Sequence, residues 1–238
     1  VALLTLDRPR ANALNPELVA ELSSALHASS DARALVLASS QSLFSAGWDL
    51  PAVRALGREE MARFLADFCA LVRAIFAFEG PILAALPGHT IAGGLIVAAS
   101  VDERIAADGK GELGLSEVAL GVPIPRCCYE IFRHVLGERG AERLAAAGDN
   151  VPVERALEIG LVDRVVPAGD LLESALDRAR QLAGRSRAAY AEVKRRARAR
   201  ALQRFDRADE SDPFLEFWFS DEARRRIDAL VERLTKKV

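Results

Sequence analysis

Gly88-His89-Thr90-Ile91-Ala92-Gly93-Gly94 lies between two apolar runs, 81–86 and 95–99, and reads as strand, small-residue turn and buried helix. A second small-residue turn, Phe44-Ser45-Ala46-Gly47-Trp48-Asp49-Leu50, follows the apolar run 34–38. Small residues let a ligand approach the backbone closely. Two such turns can aim two free N–H groups at one carbonyl oxygen and stabilise negative charge developing there. Gly93 and Gly94 open an apolar segment, so the helix dipole adds to that effect. The competing reading of either turn alone is close packing of a strand against a helix.

The same rhythm extends outward in both directions. Residues 1–6 read as a strand. Asn15 caps a helix with Pro16 at its first position, and Leu18, Leu22, Ala25 and Leu26 give it an apolar stripe. A helix is expected over 58–76 with Phe64, Phe68, Leu71 and Ile75 on one face, and a strand over 103–107. Alternating strands and helices define an α/β class with crossover connections, whose ligands sit at strand ends. Beyond about residue 149 the pattern turns helical. A helix over 152–159 stops at Gly160, 162–166 is extended, and further helices follow over 171–182, 188–204 and 221–234. This tail reads as a packed appendage, with no repeat or low-complexity linker.

Composition narrows the function classes. The chain has 238 residues, 50% of them hydrophobic, and a net charge of −2. That supports a sizeable core and argues against nucleic-acid binding over the whole surface. Cys69, Cys127 and Cys128 follow no metal-ligand spacing, so no metal is expected; a reduced, cytoplasmic protein is. No signal peptide or membrane-spanning run is read. Because residue 1 already lies in a strand-like run, a few residues are expected upstream.

Together with their flanking blocks, the two turns resemble the crotonase, or enoyl-CoA hydratase/isomerase, superfamily over nearly the whole chain. The blocks are Leu6-Asp7-Arg8-Pro9 with Asn12-Ala13-Leu14-Asn15, the two turns themselves, Asp102-Glu103-Arg104-Ile105-Ala106-Ala107, Gly114-Leu115-Ser116-Glu117-Val118, and Ala156-Leu157-Glu158-Ile159-Gly160-Leu161-Val162-Asp163. The resemblance implies a spiral of repeated ββα units over 1–180, which binds the acyl-CoA, and a helical trimerisation region over 181–238. It implies CoA thioester substrates, no cofactor beyond the CoA of the substrate, and a homotrimer or dimer of trimers. By position it assigns the two oxyanion N–H groups to Ala46 and Gly93, and acid–base chemistry to Glu117. It places Arg10, Ala11, Gly47, Trp48 and Asp49 along the CoA. Trp48 stands where a small residue is usual; it either stacks on the ligand, narrows the pocket or packs at the loop base. On sequence alone, Glu117 would read as a cap or salt-bridge glutamate.

Two departures bear on the reaction. Hydratases of the superfamily carry a second glutamate where this chain has Ile96, and isoleucine cannot hold the attacking water. Dienoyl-CoA isomerases and acyl-CoA hydrolases place an aspartate after the Glu117 block, but Val122-Pro123-Ile124-Pro125-Arg126 has no carboxylate. The pattern resembles the single-glutamate Δ3,Δ2-enoyl-CoA isomerases. Hydration, decarboxylation and non-catalytic acyl-CoA binding are the alternatives. His89, His27 and His134 read as structural, and Arg126 as a surface residue. The run Lys194-Arg195-Arg196-Ala197-Arg198-Ala199-Arg200 reads as a solvated helix face, the sharper alternative being contact with CoA phosphates. Phe214, Phe217, Trp218 and Phe219 either cap an acyl tunnel or pack between subunits.

Overall fold

The computed structural model describes residues 1–109, 111–207 and 213–236. The stretches 208–212 and 237–238 of the expected C-terminal region lie outside the described residues. In chain order the elements are β1 (Ala2–Leu6), α1 (Pro16–Ala28), β2 (Leu35–Ser39), α2 (Leu50–Arg54), α3 (Arg58–Ala77), β3 (Ile82–Leu86), β4 (Thr90–Ile91), α4 (Gly93–Ala99), β5 (Glu103–Ala107) and β6 (Glu112–Gly114). Then come α5 (Arg126–Ala147), β7 (Asn150–Pro152), α6 (Val153–Glu158), β8 (Arg164–Val166), α7 (Leu171–Ala183), α8 (Arg187–Asp206), α9 (Phe214–Trp218) and α10 (Asp221–Thr235).

Among the described residues, five strands form a parallel sheet in the order β1-β2-β3-β5-β8. Its central strands are apolar on both faces because both faces are covered. Leu35, Leu37, Ile82, Ala84 and Leu86 face the main core, whereas Ala34, Val36, Ala38, Leu83 and Ala85 face a second core closed by Leu171, Ala175 and Ala179 of α7. A smaller sheet, β4-β6-β7, stands beside it. Chain order β3-β4-α4 and then β5-β6-α5 is the ββα repeat expected from the resemblance, in an α/β fold.

The strands and helices read from periodicity fall within one or two residues of the observed ones. Asn15 caps α1 as expected, accepting from the Leu18 N–H at 2.9 Å. Leu18, Val19, Leu22 and Leu26 are buried along that helix, each contributing about 1.5–3 kcal/mol by leaving water. The short elements β4, β6 and α2 carry too few residues to show a period. α5 is kinked at Gly137, which adopts φ 71°, ψ 173°.

The sheet brings the two small-residue turns together. They leave the carboxyl ends of the adjacent parallel strands β2 and β3. The Phe44 N–H donates to the His89 carbonyl at 3.0 Å, and the Ile91 N–H to the Ser45 carbonyl at 3.0 Å. Glycine is required where the turns meet. A Cβ on Gly94 would come within 2.7 Å of the Ser45 Cβ and 2.8 Å of its carbonyl oxygen.

Candidate active site

A cavity of about 700 Å³ opens where these turns meet. Its wall takes in Arg10, Ala11, Ala46, Trp48, Asp49, Gly93, Ile96 and Glu117, together with Phe214, Trp218, Leu230 and Leu234 from the C-terminal helices. Of the residues expected along the ligand, Gly47 alone is off this wall. It is buried with φ 89°, and a Cβ there would press within 3.0 Å of the Ala92 Cβ.

The first turn is held by an unusual backbone. Arg10, Ala11 and Asn12 adopt consecutive positive φ values of 64°, 67° and 48°. Left-handed residues other than glycine cost about 1–2 kcal/mol each, so something must fix them. Asn12, fully buried, does so. Its Oδ1 accepts from the Arg8 N–H at 2.8 Å, and its Nδ2 donates to the Phe44 carbonyl at 3.0 Å and to Ser39 Oγ at 2.8 Å. Arg8 adds an ion pair to Asp49 at 2.7 Å, and Asp49 also accepts from the Ala52 N–H to cap α2. Asp49 therefore lines the cavity as a braced structural carboxylate.

This arrangement corrects one expected role. The Ala46 N–H donates to the Ala11 carbonyl at 3.0 Å, so it is not a free donor. The left-handed turn brings that carbonyl to Ala46, a tertiary effect that positional matching cannot register. Two residues on, the Trp48 N–H donates to no acceptor among the described residues. Gly93, the first residue of α4, also has an N–H without an acceptor among the described residues. Gly47 bridges the two, since a Cβ on it would lie 3.3 Å from the Gly93 nitrogen. The residue before Gly93, Ala92, is held at φ 49°, ψ −123°, a strained conformation of the kind that clusters at functional sites.

Glu117 ends the strand-turn that follows β6 and precedes a short turn of 3-10 helix, Val118–Leu120. Its carboxylate is buried, and Oε2 has no hydrogen-bond partner. Burial pushes its pKa up to about 7, because the charged form loses its hydration. An unpaired carboxyl poised near neutrality on a cavity wall has the properties of an acid–base catalyst. Ile96, on the same wall, is 1% exposed and apolar.

Trp48 does two of the things considered for it. It lines the cavity, and it packs at ring-centroid distances of 5.0–5.8 Å against Phe64, Phe68, Phe214 and Trp218. Phe64 and Phe68 sit one turn apart on α3, as do Phe214 and Trp218 on α9. That spacing reads as ordinary core, and only the fold directs both pairs onto one indole. Phe217 is exposed, and Phe219 instead receives the guanidiniums of Arg58 and Arg224.

The remaining candidates lie elsewhere. His89 is exposed, 4.0 Å from Glu112 and off the cavity wall. His27 is exposed at the end of α1, and His134 packs edge-on against Phe76. Arg126 is exposed at the start of α5. The basic run fits neither expectation throughout. Lys194 and Arg198, one turn apart, are buried and both bind Asp102 at 2.8 Å, while Arg195 and Arg196 pair with Glu192 at the surface. The cysteines show what spacing alone misses. The Sγ atoms of Cys69, Cys127 and Cys128 lie within 4.8 Å of one another in the core, and burial pushes the Cys128 thiol well up, so it packs as a neutral group. Among the described residues no helix is long and apolar enough to cross a membrane.

Fold and site together set, in one cavity of an α/β protein, two backbone N–H groups without an acceptor among the described residues and one buried acid. The protein-family description "Enoyl-CoA hydratase/isomerase" matches residues 1–237. The chain is 35% identical to a probable enoyl-CoA hydratase of Rhizobium meliloti over 77% of its own length and 72% of the relative's. Human mitochondrial Δ3-Δ2-enoyl-CoA isomerase superposes with a TM-score of 0.93 at 27% identity, covering 99% of this chain and 94% of that one. An enoyl-CoA hydratase/isomerase from Xanthobacter autotrophicus Py2 gives 0.85 at 29% identity over 97% and 89%. The chain belongs to the enoyl-CoA hydratase/isomerase family and is an enzyme of that type.

Proposed function

We propose that the protein shifts a double bond in an unsaturated acyl-CoA thioester, from Δ3 to Δ2. One observation carries the reading. A lone unpaired carboxyl, Glu117, shares an apolar cavity with the free N–H groups of Trp48 and Gly93, and Ile96 stands where a water-holding second carboxylate would be needed.

The thioester oxygen accepts hydrogen bonds from the Trp48 and Gly93 N–H groups. The Glu117 carboxylate removes a proton from the carbon next to the carbonyl. The electron pair moves into a dienolate whose charge rests on the thioester oxygen, where the donors and the α4 dipole stabilise it. Protonated Glu117 returns the proton at the far end of the dienolate, leaving the double bond conjugated with the carbonyl. The apolar wall disfavours competing water addition. The reaction balances with no cofactor beyond the CoA of the substrate. Arg10, Ala11 and Trp48 lie along the CoA arm, and the enzyme works as a homotrimer or dimer of trimers, as the family resemblance implies; the reduced cysteines point to the cytoplasm. Sedimentation of the purified protein checks the assembly.

The test is conversion of a 3-enoyl-CoA by the wild type and by Glu117→Gln. Retained turnover in the variant would end the proposal. Hydration is the second reading, favoured by relatives described as hydratases. Formation of a 3-hydroxyacyl product from crotonyl-CoA faster than the isomerisation would install it instead.

A further inference from the structure

The Trp48 and Gly93 N–H groups can serve one oxygen only while the peptide between Gly47 and Trp48 keeps its plane. Leu14 holds one end of that plane. Its N–H donates to the Gly47 carbonyl at 2.7 Å, and its carbonyl accepts from the Asp49 N–H at 2.8 Å. In a planar trans peptide the carbonyl and the N–H point opposite ways, so the Leu14 bond aims the Trp48 N–H away from Leu14. One hydrogen bond at the oxygen still lets the plane rock. The other end, at the Trp48 Cα, is held through the side chain. Phe64 and Phe68 meet the indole edge-on, with ring centroids at 5.0 and 5.4 Å and interplanar angles of 70° and 89°. The indole in turn lies on Gly93, where a Cβ would come 2.7 Å from Trp48 Cδ1. One ring therefore belongs to the first donor residue and rests on the second.

Phe64 and Phe68 are 2% and 0% exposed and lie off the cavity wall, so their influence on a bound thioester runs through Trp48. We propose that Phe64 and Phe68 are positioning residues for the oxyanion donors. Their rings fix the indole, and the indole fixes the direction of the Trp48 N–H and its distance from Gly93. The inference rests on the oxyanion part of the reading above. Edge-to-face contact is directional, because a ring is positive at its edge and negative on its face. An aliphatic side chain of similar bulk fills the space without setting the angle. Phe76, on the same helix and 0% exposed, supplies the comparison: its ring meets His134 at 5.2 Å.

The test sets Phe64→Met and Phe68→Met against Phe76→Met. Each removes one buried ring of α3 and keeps an apolar side chain. With a 3-enoyl-CoA, the first two lower kcat by about ten-fold, less than the 10²–10³-fold of deleting a donor outright. KM changes less than kcat, since a misaimed donor is lost chiefly in the transition state. Phe76→Met keeps the wild-type kcat. A second readout needs no turnover. The wild type binds an alkanoyl-CoA thioester more tightly than the S-alkyl-CoA thioether of the same length, which lacks the oxygen. Calorimetry shows that ratio shrinking in the Phe64 and Phe68 variants and holding in the Phe76 variant. A third readout uses the unliganded wild type and decides the question even where a variant does not fold: the Trp48 amide has the order parameter of rigid backbone, about 0.85. Equal kcat loss in all three variants, an unchanged thioester-to-thioether ratio in the Phe64 and Phe68 variants, or a Trp48 amide order parameter under about 0.6 overturns this inference and leaves the isomerase reading standing. A wild type with thioester preference but no 3-enoyl-CoA turnover removes the isomerase reading and leaves this inference in place. A wild type without that preference overturns the donor pair and this inference with it.

Discussion

Two buried polar constellations in this molecule look alike in sequence and behave as opposites. Asp102 accepts from Lys194 Nζ and Arg198 Nη2 at 2.8 Å each and from the Ile82 N–H at 2.8 Å, tying α8 to the start of β3. Glu117 is equally hidden, yet its Oε2 has no partner and its pKa rises to about 7. A buried charge that is fully paired holds elements together. A buried carboxyl left unpaired costs stability, and its proton is available for chemistry. The same contrast separates Asp49 from Glu117 within one cavity, since Arg8 holds Asp49 as an ion pair.

Substitutions probe this contrast from its strongest side to its weakest. Glu117→Gln should lower isomerase kcat by about 10²–10⁴-fold, the typical worth of a positioned acid–base group, measured with a 3-enoyl-CoA. Asp102→Ala leaves Lys194 and Arg198 as unpaired buried cations and should destabilise the fold by about 3–5 kcal/mol in denaturant unfolding. Glu117→Gln should act on stability in the other direction at high pH. The folded pKa near 7 lies above the ordinary glutamate value of 4.5. Stability linked to this proton is therefore fully present below about pH 4.5 and lost as pH rises through 7. Above pH 7 the Gln variant should exceed the wild type by about 3 kcal/mol or less, whereas wild-type kcat/KM should climb through the same range as the base ionises. Gly93→Ala places a Cβ 2.7 Å from Trp48 Cδ1; displacing the indole should cut kcat/KM by about 10²-fold with a smaller change in melting temperature. Arg196→Ala removes an exposed ion pair to Glu192 and should change stability by no more than about 0.5 kcal/mol.

Much of the scaffold was legible because its signals are local. Asn15-Pro16 announces the start of α1, and the continuous apolar strands announce a sheet buried on both faces. Glu117 and Gly93, both on the cavity wall, were legible as candidate site residues through the motifs around them. The donor in the first turn was not. Whether Ala46 or Trp48 offers a free N–H depends on where the Ala11 carbonyl sits. That is decided by a left-handed turn fixed by Asn12, which bonds to Ser39 and Phe44 far along the chain. The basic run hid its division of labour in the same way. Lys194 and Arg198 differ from Arg195 and Arg196 only in the helix face that meets Asp102.

The sequence by itself determined the α/β class, the pair of small-residue turns, the lone glutamate and the missing second one, because each is a matter of residue type and short spacing. Tertiary structure alone decided which N–H groups stay free among the described residues, which carboxylates are paired, and that two tryptophans 170 residues apart line one cavity. These are properties of burial and of partners distant in the chain. The free energy of a polar group depends on what surrounds it, and no local pattern encodes that.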